Sequence, residues 1–98
     1  MMHMKCTTLT FYSELKNITF DWNMVPIMLK NININSEEVG RTFFINIHNI
    51  HNNIECLSFT NIVLTIEMLD IIIDKWPKVV IYYNDKILPY EKIEINIL

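Results

Sequence analysis

The sequence predicts an α+β fold, with a mainly antiparallel sheet that is packed on one side by a single helix. Three patterns support this prediction. Several short segments alternate apolar and polar residues with the period of two that is typical of half-buried strands, most clearly residues 31–35 and 93–97. Only residues 66–76 carry apolar side chains at the three- and four-residue spacing of a helix. Turn-forming Asn, Asp and Pro residues separate these segments.

The first strand is predicted in residues 5–12, where Leu9 and Phe11 alternate with threonines. A polar segment follows it, and residues 18–22 then resume a short β-prone run. These two segments are therefore expected to form a hairpin.

A second hairpin is predicted between residues 27–34 and residues 41–50. Both segments alternate, and the polar residues between them can form a turn. In the second of these strands Phe43, Ile45 and Ile47 are expected to share the buried face.

The helix is predicted over residues 66–75. Thr65 is a suitable N-cap, and Glu67 lies in the first turn, where a negative charge complements the helix dipole. Pro77 prevents continuation of the helix. Its buried stripe is expected to consist of Ile66, Leu69, Ile73 and Trp76.

The remaining strands are predicted in residues 54–64, 78–83, 86–88 and 93–97, with a tight turn at residues 84–85. One domain is expected over residues 1–98, because a chain of this length normally builds one core. The first four residues are interpreted as disordered or as the remnant of an alternative start. No internal repeat is predicted. The expected core includes Leu69, Ile73, Phe43, Ile45, Ile93 and Ile95.

Charge and composition disfavour several classes of function. The formal net charge is −3, and the eight Lys and Arg residues form no run in the sequence, which disfavours direct binding of nucleic acid. Polar residues interrupt the most apolar stretch, so no membrane span is predicted. No segment has the order of a signal peptide, and Cys6 and Cys56 are therefore expected to be reduced thiols in a cytoplasmic protein.

Two histidine-containing segments are candidates for a zinc site. His3 and Cys6 lie three residues apart, as do His48 and His51, and zinc accepts these ligand types. The pairing matches no standard motif, and we expect no metal and no cofactor. The chain also lacks phosphate-binding loops and hydrolase motifs, so we expect no enzymatic activity. A small metal-binding protein or nuclease centred on His48 and His51 remains the alternative.

The predicted helix carries three carboxylates on one face, at Glu67, Asp70 and Asp74. Like charges at this spacing repel one another, and a basic protein partner would offset that cost. A solvated helix face is the alternative. The other residues predicted to bind a partner are Glu91, Glu94, Tyr83 and Tyr90.

In its small size, acidity and richness in isoleucine and asparagine, the whole chain resembles the immunity proteins of bacterial toxin systems, including contact-dependent growth inhibition. The resemblance implies a cytoplasmic antidote that binds a cognate toxin domain, often a basic nuclease, and covers its active site. A phage-encoded inhibitor of a host defence nuclease would share the same mechanism, which is stoichiometric occlusion by a non-catalytic binding protein.

Overall fold

The computed structural model describes residues 7–12 and 20–90. In this part of the chain one five-stranded sheet is formed by β1 (Thr8–Phe11), β2 (Asn31–Ile34), β3 (Cys56–Phe59), β4 (Val80–Tyr83) and β5 (Lys86–Leu88). The strands lie in sequence order. The first four are parallel, and among the described strands β4 and β5 alone pair antiparallel. The fold is α+β, but the prediction of a mainly antiparallel sheet is wrong.

Two α-helices within the described ranges connect parallel strands. Helix α1 (Glu37–Ile45) joins β2 to β3, and helix α2 (Ile66–Lys75) joins β3 to β4. A short 3₁₀-helix (Trp22–Met24) precedes β2, and a second one (Ile47–Asn49) follows α1. Parallel neighbours need a crossover connection of a dozen or more residues, and these helices supply it.

The parallel strands form a repeat that was not expected from the sequence. Leu9, Ile32, Leu57 and Ile81 are aligned with one another across the sheet, and they are 23, 25 and 24 residues apart. Each of the three connections between these four strands contains helical structure. This arrangement is that of a short solenoid, in which each unit packs on its neighbours.

Residues 41–45 belong to a helix and not to the predicted strand. The Ser36 hydroxyl accepts a hydrogen bond from the Val39 amide at 3.4 Å, and two glutamates occupy the first turn. Val39 and Phe43 are four residues apart, so both face the core, where they are buried. Ile45 is 77% exposed, which corrects its placement in the core. The short alternation over these residues was outweighed by helix capping and helical burial.

Helix α2 has the bounds predicted for it, and Thr65 is its N-cap as expected. The Thr65 hydroxyl accepts a hydrogen bond from the Met68 amide at 3.2 Å. The buried stripe is rotated from the predicted one, because Ile72 is fully buried whereas Ile66 is 67% exposed. Of the other predicted core positions, Leu69 is buried and Ile73 is partly buried. Ile93, Ile95 and the final strand lie outside the described residues.

The core between the helices and the sheet is centred on aromatic rings. The ring of Phe43 lies 5.3 Å from Trp22, 5.9 Å from Phe59 and 6.2 Å from Trp76, measured between centroids. Each indole is also anchored by a hydrogen bond, from Trp22 Nε1 to Thr42 Oγ1 at 3.1 Å and from Trp76 Nε1 to the His51 carbonyl at 2.9 Å. These contacts fix the helical layer on one side of the sheet.

Asparagines join the ends of the parallel strands. Asn61 Nδ2 donates to Asn35 Oδ1 at 3.4 Å, and the Asn61 amide donates to Asn84 Oδ1 at 3.1 Å. Asn61 has φ 58°, a left-handed conformation that Asn tolerates better than most residues. Asn84 and Asp85 also have positive φ, in agreement with the predicted tight turn between β4 and β5.

Candidate partner-binding surface

The described residues leave one face of the sheet open, on the side away from the helices. Along each parallel strand one set of side chains enters the core and the alternate set lies on this open face. The open face contains two aligned rows, which are Thr8, Asn31, Cys56 and Val80, and Thr10, Asn33, Ser58 and Tyr82. None of these eight residues is buried. An exposed face is unusual for parallel strands, which normally have both faces covered.

The rows are polar over β1 to β3. Asn31 Nδ2 donates to Thr8 Oγ1 at 3.2 Å, and Asn33 Nδ2 donates to Thr10 Oγ1 at 3.3 Å. These cross-strand bonds hold the side chains in a defined array. An amide or hydroxyl group can both donate and accept, so the array can pair with the polar groups of a partner.

The open face becomes apolar towards β4 and β5. Val80 is 42% exposed, and Ile87, which lies directly opposite Tyr82 in the β4–β5 pair, is 62% exposed. A shallow depression of about 370 Å³ lies over the polar rows and extends to this end of the sheet, where Tyr82 and Asp85 contribute to its lining. An aromatic side chain beside apolar and small polar groups has the composition of a protein interface.

Cys56 also lines this depression, and its thiol is half-buried. Burial raises the pKa of this thiol, so it remains protonated at neutral pH. A protonated thiol is a weak nucleophile, and the site therefore does not present an activated cysteine.

The carboxylates predicted on one face of α2 lie on the side of the molecule that carries the helices. Glu67 and Asp74 are exposed, whereas Asp70 is half-buried and accepts a hydrogen bond from the Tyr90 hydroxyl. This bond is the main cause of a raised pKa of Tyr90, and burial and the charges of Asp70 and Glu67 add to it. The structure thus brings Glu67, Asp70 and Tyr90 together.

Tyr83 does not join this group. It lies on the core side of β4, half-buried against the core cluster, while its neighbour Tyr82 lies on the open face. Glu91 and Glu94 fall outside the described residues.

The two predicted histidines have different surroundings. His51 holds two loops together, with Nε2 2.6 Å from the Pro26 carbonyl and Nδ1 accepting a hydrogen bond from the Asn53 amide at 3.0 Å. Since a carbonyl only accepts, Nε2 must carry the proton. His48 is exposed, and its carbonyl accepts a hydrogen bond from Lys75 Nζ at 3.4 Å. Within residues 7–12 and 20–90, no three His, Cys, Asp or Glu side chains converge as metal ligands.

Sequence reasoning missed the open face, although a signal for it exists. Three apolar residues spaced by three and then two positions occur at Leu29, Ile32 and Ile34. The same spacing recurs at Ile54, Leu57 and Phe59. A recurrence after 25 residues is the mark of stacked parallel units, which align the intervening polar residues on one face.

Comparisons with protein-family models, with curated proteins and with solved structures found no match for this chain. None of the helices in the described ranges is long and apolar enough to cross a membrane.

Proposed function

We propose that this chain is a non-catalytic binding protein and that a protein partner docks on the open face of its sheet. The observation that carries the proposal is a parallel sheet with one side covered by helices and the other left uncovered by residues 7–12 and 20–90. Parallel strands with an uncovered face are typical of solenoids, whose extended strand surfaces bind other proteins.

The chemistry of the open face supports a protein partner. Tyr82 and Ile87 offer an aromatic and an aliphatic contact, and the rows of Thr, Asn and Ser provide hydrogen-bonding groups around them. Interfaces commonly combine a few aromatic or apolar anchors with a polar rim. We expect Tyr82 to contribute most of the binding energy.

The sequence suggested a more specific role, in which the chain inhibits a toxin by covering its active site. Binding through a preformed rigid surface suits such an inhibitor, because little ordering cost accompanies association. We therefore propose that the chain inhibits its partner. We also propose that the acidic face of α2 forms a second contact, which accelerates association with a basic partner.

Site-specific photo-crosslinking tests the proposal in the native host. The photoreactive residue p-benzoylphenylalanine replaces Ser58 on the open face or, as a matched control, Glu67 on α2. We expect the probe at position 58 to capture a discrete protein, which is then purified for binding measurements. Capture only from position 67 would move the interface to the helices, and capture from neither position would overturn the binding function.

With the partner in hand, we expect Tyr82→Ala to weaken binding by roughly 30-fold, as for a hot-spot residue. Glu67→Lys combined with Asp74→Lys should instead slow association at low salt. The inhibitor role requires loss of the partner's activity at one-to-one stoichiometry. A partner that keeps full activity in the complex would contradict inhibition while leaving the binding function intact.

A further inference from the structure

A groove lies at the end of the sheet where the parallel strands begin. It is formed by the loops that precede β2, β3 and β4, and it has a volume of about 770 Å³. This edge of the sheet is distinct from the open face, because the two share none of their lining residues.

The groove gathers lysines that are dispersed in the sequence. Lys30, Lys75 and Lys78 all line it, and they are three of the five Lys and Arg residues in the described part of the chain. Glu55 is the one carboxylate among the described lining residues, with Oε1 3.7 Å from Lys30 Nζ. The described residues of the groove therefore carry a net positive charge, on a chain whose net charge is −3.

Apolar side chains complete the lining. Trp76 is almost fully buried at the base, and Ile27 is 70% exposed at the rim. Lysine stems and apolar surfaces together can contact a side chain of a ligand while the ammonium groups pair with its charges.

The loops that form the groove are held in place by hydrogen bonds. The Leu29 amide donates to the Pro26 carbonyl at 3.0 Å, and Asn53 Nδ2 donates to the Ile27 carbonyl at 3.3 Å. Together with His51, these bonds connect the loop before β2 to the loop before β3. A site that is already ordered loses less entropy on binding.

We propose that this groove binds an acidic peptide segment that also carries apolar side chains. The positive charge selects carboxylates, and the apolar lining favours a ligand with aliphatic or aromatic groups. A concave site fits a chain segment better than the flat surface of a bilayer. Nucleic acid is disfavoured because its binding depends on neutralising phosphates with Lys and Arg, and the chain has a net charge of −3.

Fluorescence anisotropy with a defined probe tests this inference. The probe is a fluorescein-labelled peptide that repeats glutamate, leucine, glutamate and serine twice, and a second peptide replaces each leucine with serine. We expect the first peptide to bind at low salt and the second to bind more weakly. Failure of the leucine-containing peptide to bind would overturn the proposal, and equal affinity for both peptides would contradict the apolar part of the site.

Charge-matched variants locate the binding. Lys75→Gln with Lys78→Gln should weaken binding roughly tenfold, as expected for the loss of two ion pairs. Arg41→Gln with Lys86→Gln removes the same charge outside the groove and should change affinity by less than about twofold. Equal loss in both double variants would show a nonspecific charge effect and refute the site.

Two further controls address folding and the other anionic partners. Lys75→Arg with Lys78→Arg should retain binding, which separates loss of charge from loss of structure. Tighter binding to an oligothymidylate or to phosphatidylserine vesicles than to the peptide would overturn the choice of ligand. The proposal is independent of the open face, because Tyr82→Ala should leave peptide binding unchanged.

Discussion

Replacing Phe43 with alanine is expected to destabilise the protein severely, whereas the same replacement two residues later, at Ile45, should have little effect. Phe43 is fully buried and lies against the rings of Trp22, Phe59 and Trp76. Ile45 belongs to the same helix but is 77% exposed. The pair therefore tests the helical course of residues 37–45, because a strand would bury both side chains on one face.

The size of the effect follows from burial. Phe→Ala in a packed core costs about 3–5 kcal/mol, through lost transfer free energy and a residual cavity. Domains of this size are typically stable by about 5–15 kcal/mol, so Phe43→Ala removes a large share of the total and lowers Tm by on the order of 20 °C. Ile45→Ala should change the free energy of unfolding by less than about 0.5 kcal/mol, because little surface is buried and alanine favours the helix.

Urea unfolding followed by tryptophan fluorescence measures both variants, since Trp22 and Trp76 both lie near Phe43 and report on this part of the core. The m-value should be unchanged in Ile45→Ala if the native state is intact. A loss of about 2 kcal/mol or more in Ile45→Ala, comparable with that in Phe43→Ala, would refute the helical assignment and restore the strand.

Three further predictions concern local contacts. Asn61→Ala should be about 1–2 kcal/mol less stable than Asn61→Gly in urea unfolding. Both variants lose the side-chain hydrogen bond, but only alanine is strained at φ 58°. Equal stabilities of the two variants would contradict this prediction. Thr65→Ala should lower the free energy of unfolding by about 1 kcal/mol, because the hydrogen bond that caps the Met68 amide is lost. Thr65→Ser should retain most of the wild-type stability in thermal unfolding. An equally large loss of stability in both variants would refute the capping role. The pKa of Tyr90 is raised in the folded state, chiefly by its hydrogen bond to Asp70. The stability that this contact contributes is therefore complete below the ordinary tyrosine pKa of 10.0, and it is lost as the pH rises through the folded-state pKa. Tyr90→Phe should therefore show a smaller fall in stability between about pH 9 and pH 11 than the wild type, and an identical pH profile would exclude this linkage.

Local chemistry was enough to predict several elements. Thr65 as a cap and Pro77 as a stop define the bounds of α2, since both act within one turn of the helix. Alternation correctly located β1 and β2, because it reports which side of a strand is buried. The turn at Asn84 and Asp85 could likewise be predicted, because these residue types tolerate positive φ.

Residues 41–50 show where local patterns are ambiguous. Phe43 and Ile47 are four residues apart, so they satisfy a strand pattern and a helix pattern equally well, and both are buried. Ile45 alone distinguishes the two cases, and its exposure follows from the helix. Ser36 followed by two glutamates was a local helix signal that outweighs one misplaced isoleucine.

The sequence by itself determined which strand residues are apolar and which are polar, and therefore that each strand would have one buried side and one wetter side. It did not determine strand direction correctly, because alternation is typical of antiparallel strands, whereas parallel strands usually have both faces covered. Here the parallel strands alternate because one of their faces is exposed. Only the tertiary structure, through the crossover helices, aligned Thr10, Asn33, Ser58 and Tyr82 in one row. The groove has the same origin, since Lys30 and Lys78 are 48 positions apart and line one groove because the parallel strands begin at the same edge of the sheet. Both surfaces depend on side chains from separate units, and no pattern within a single segment contains that information.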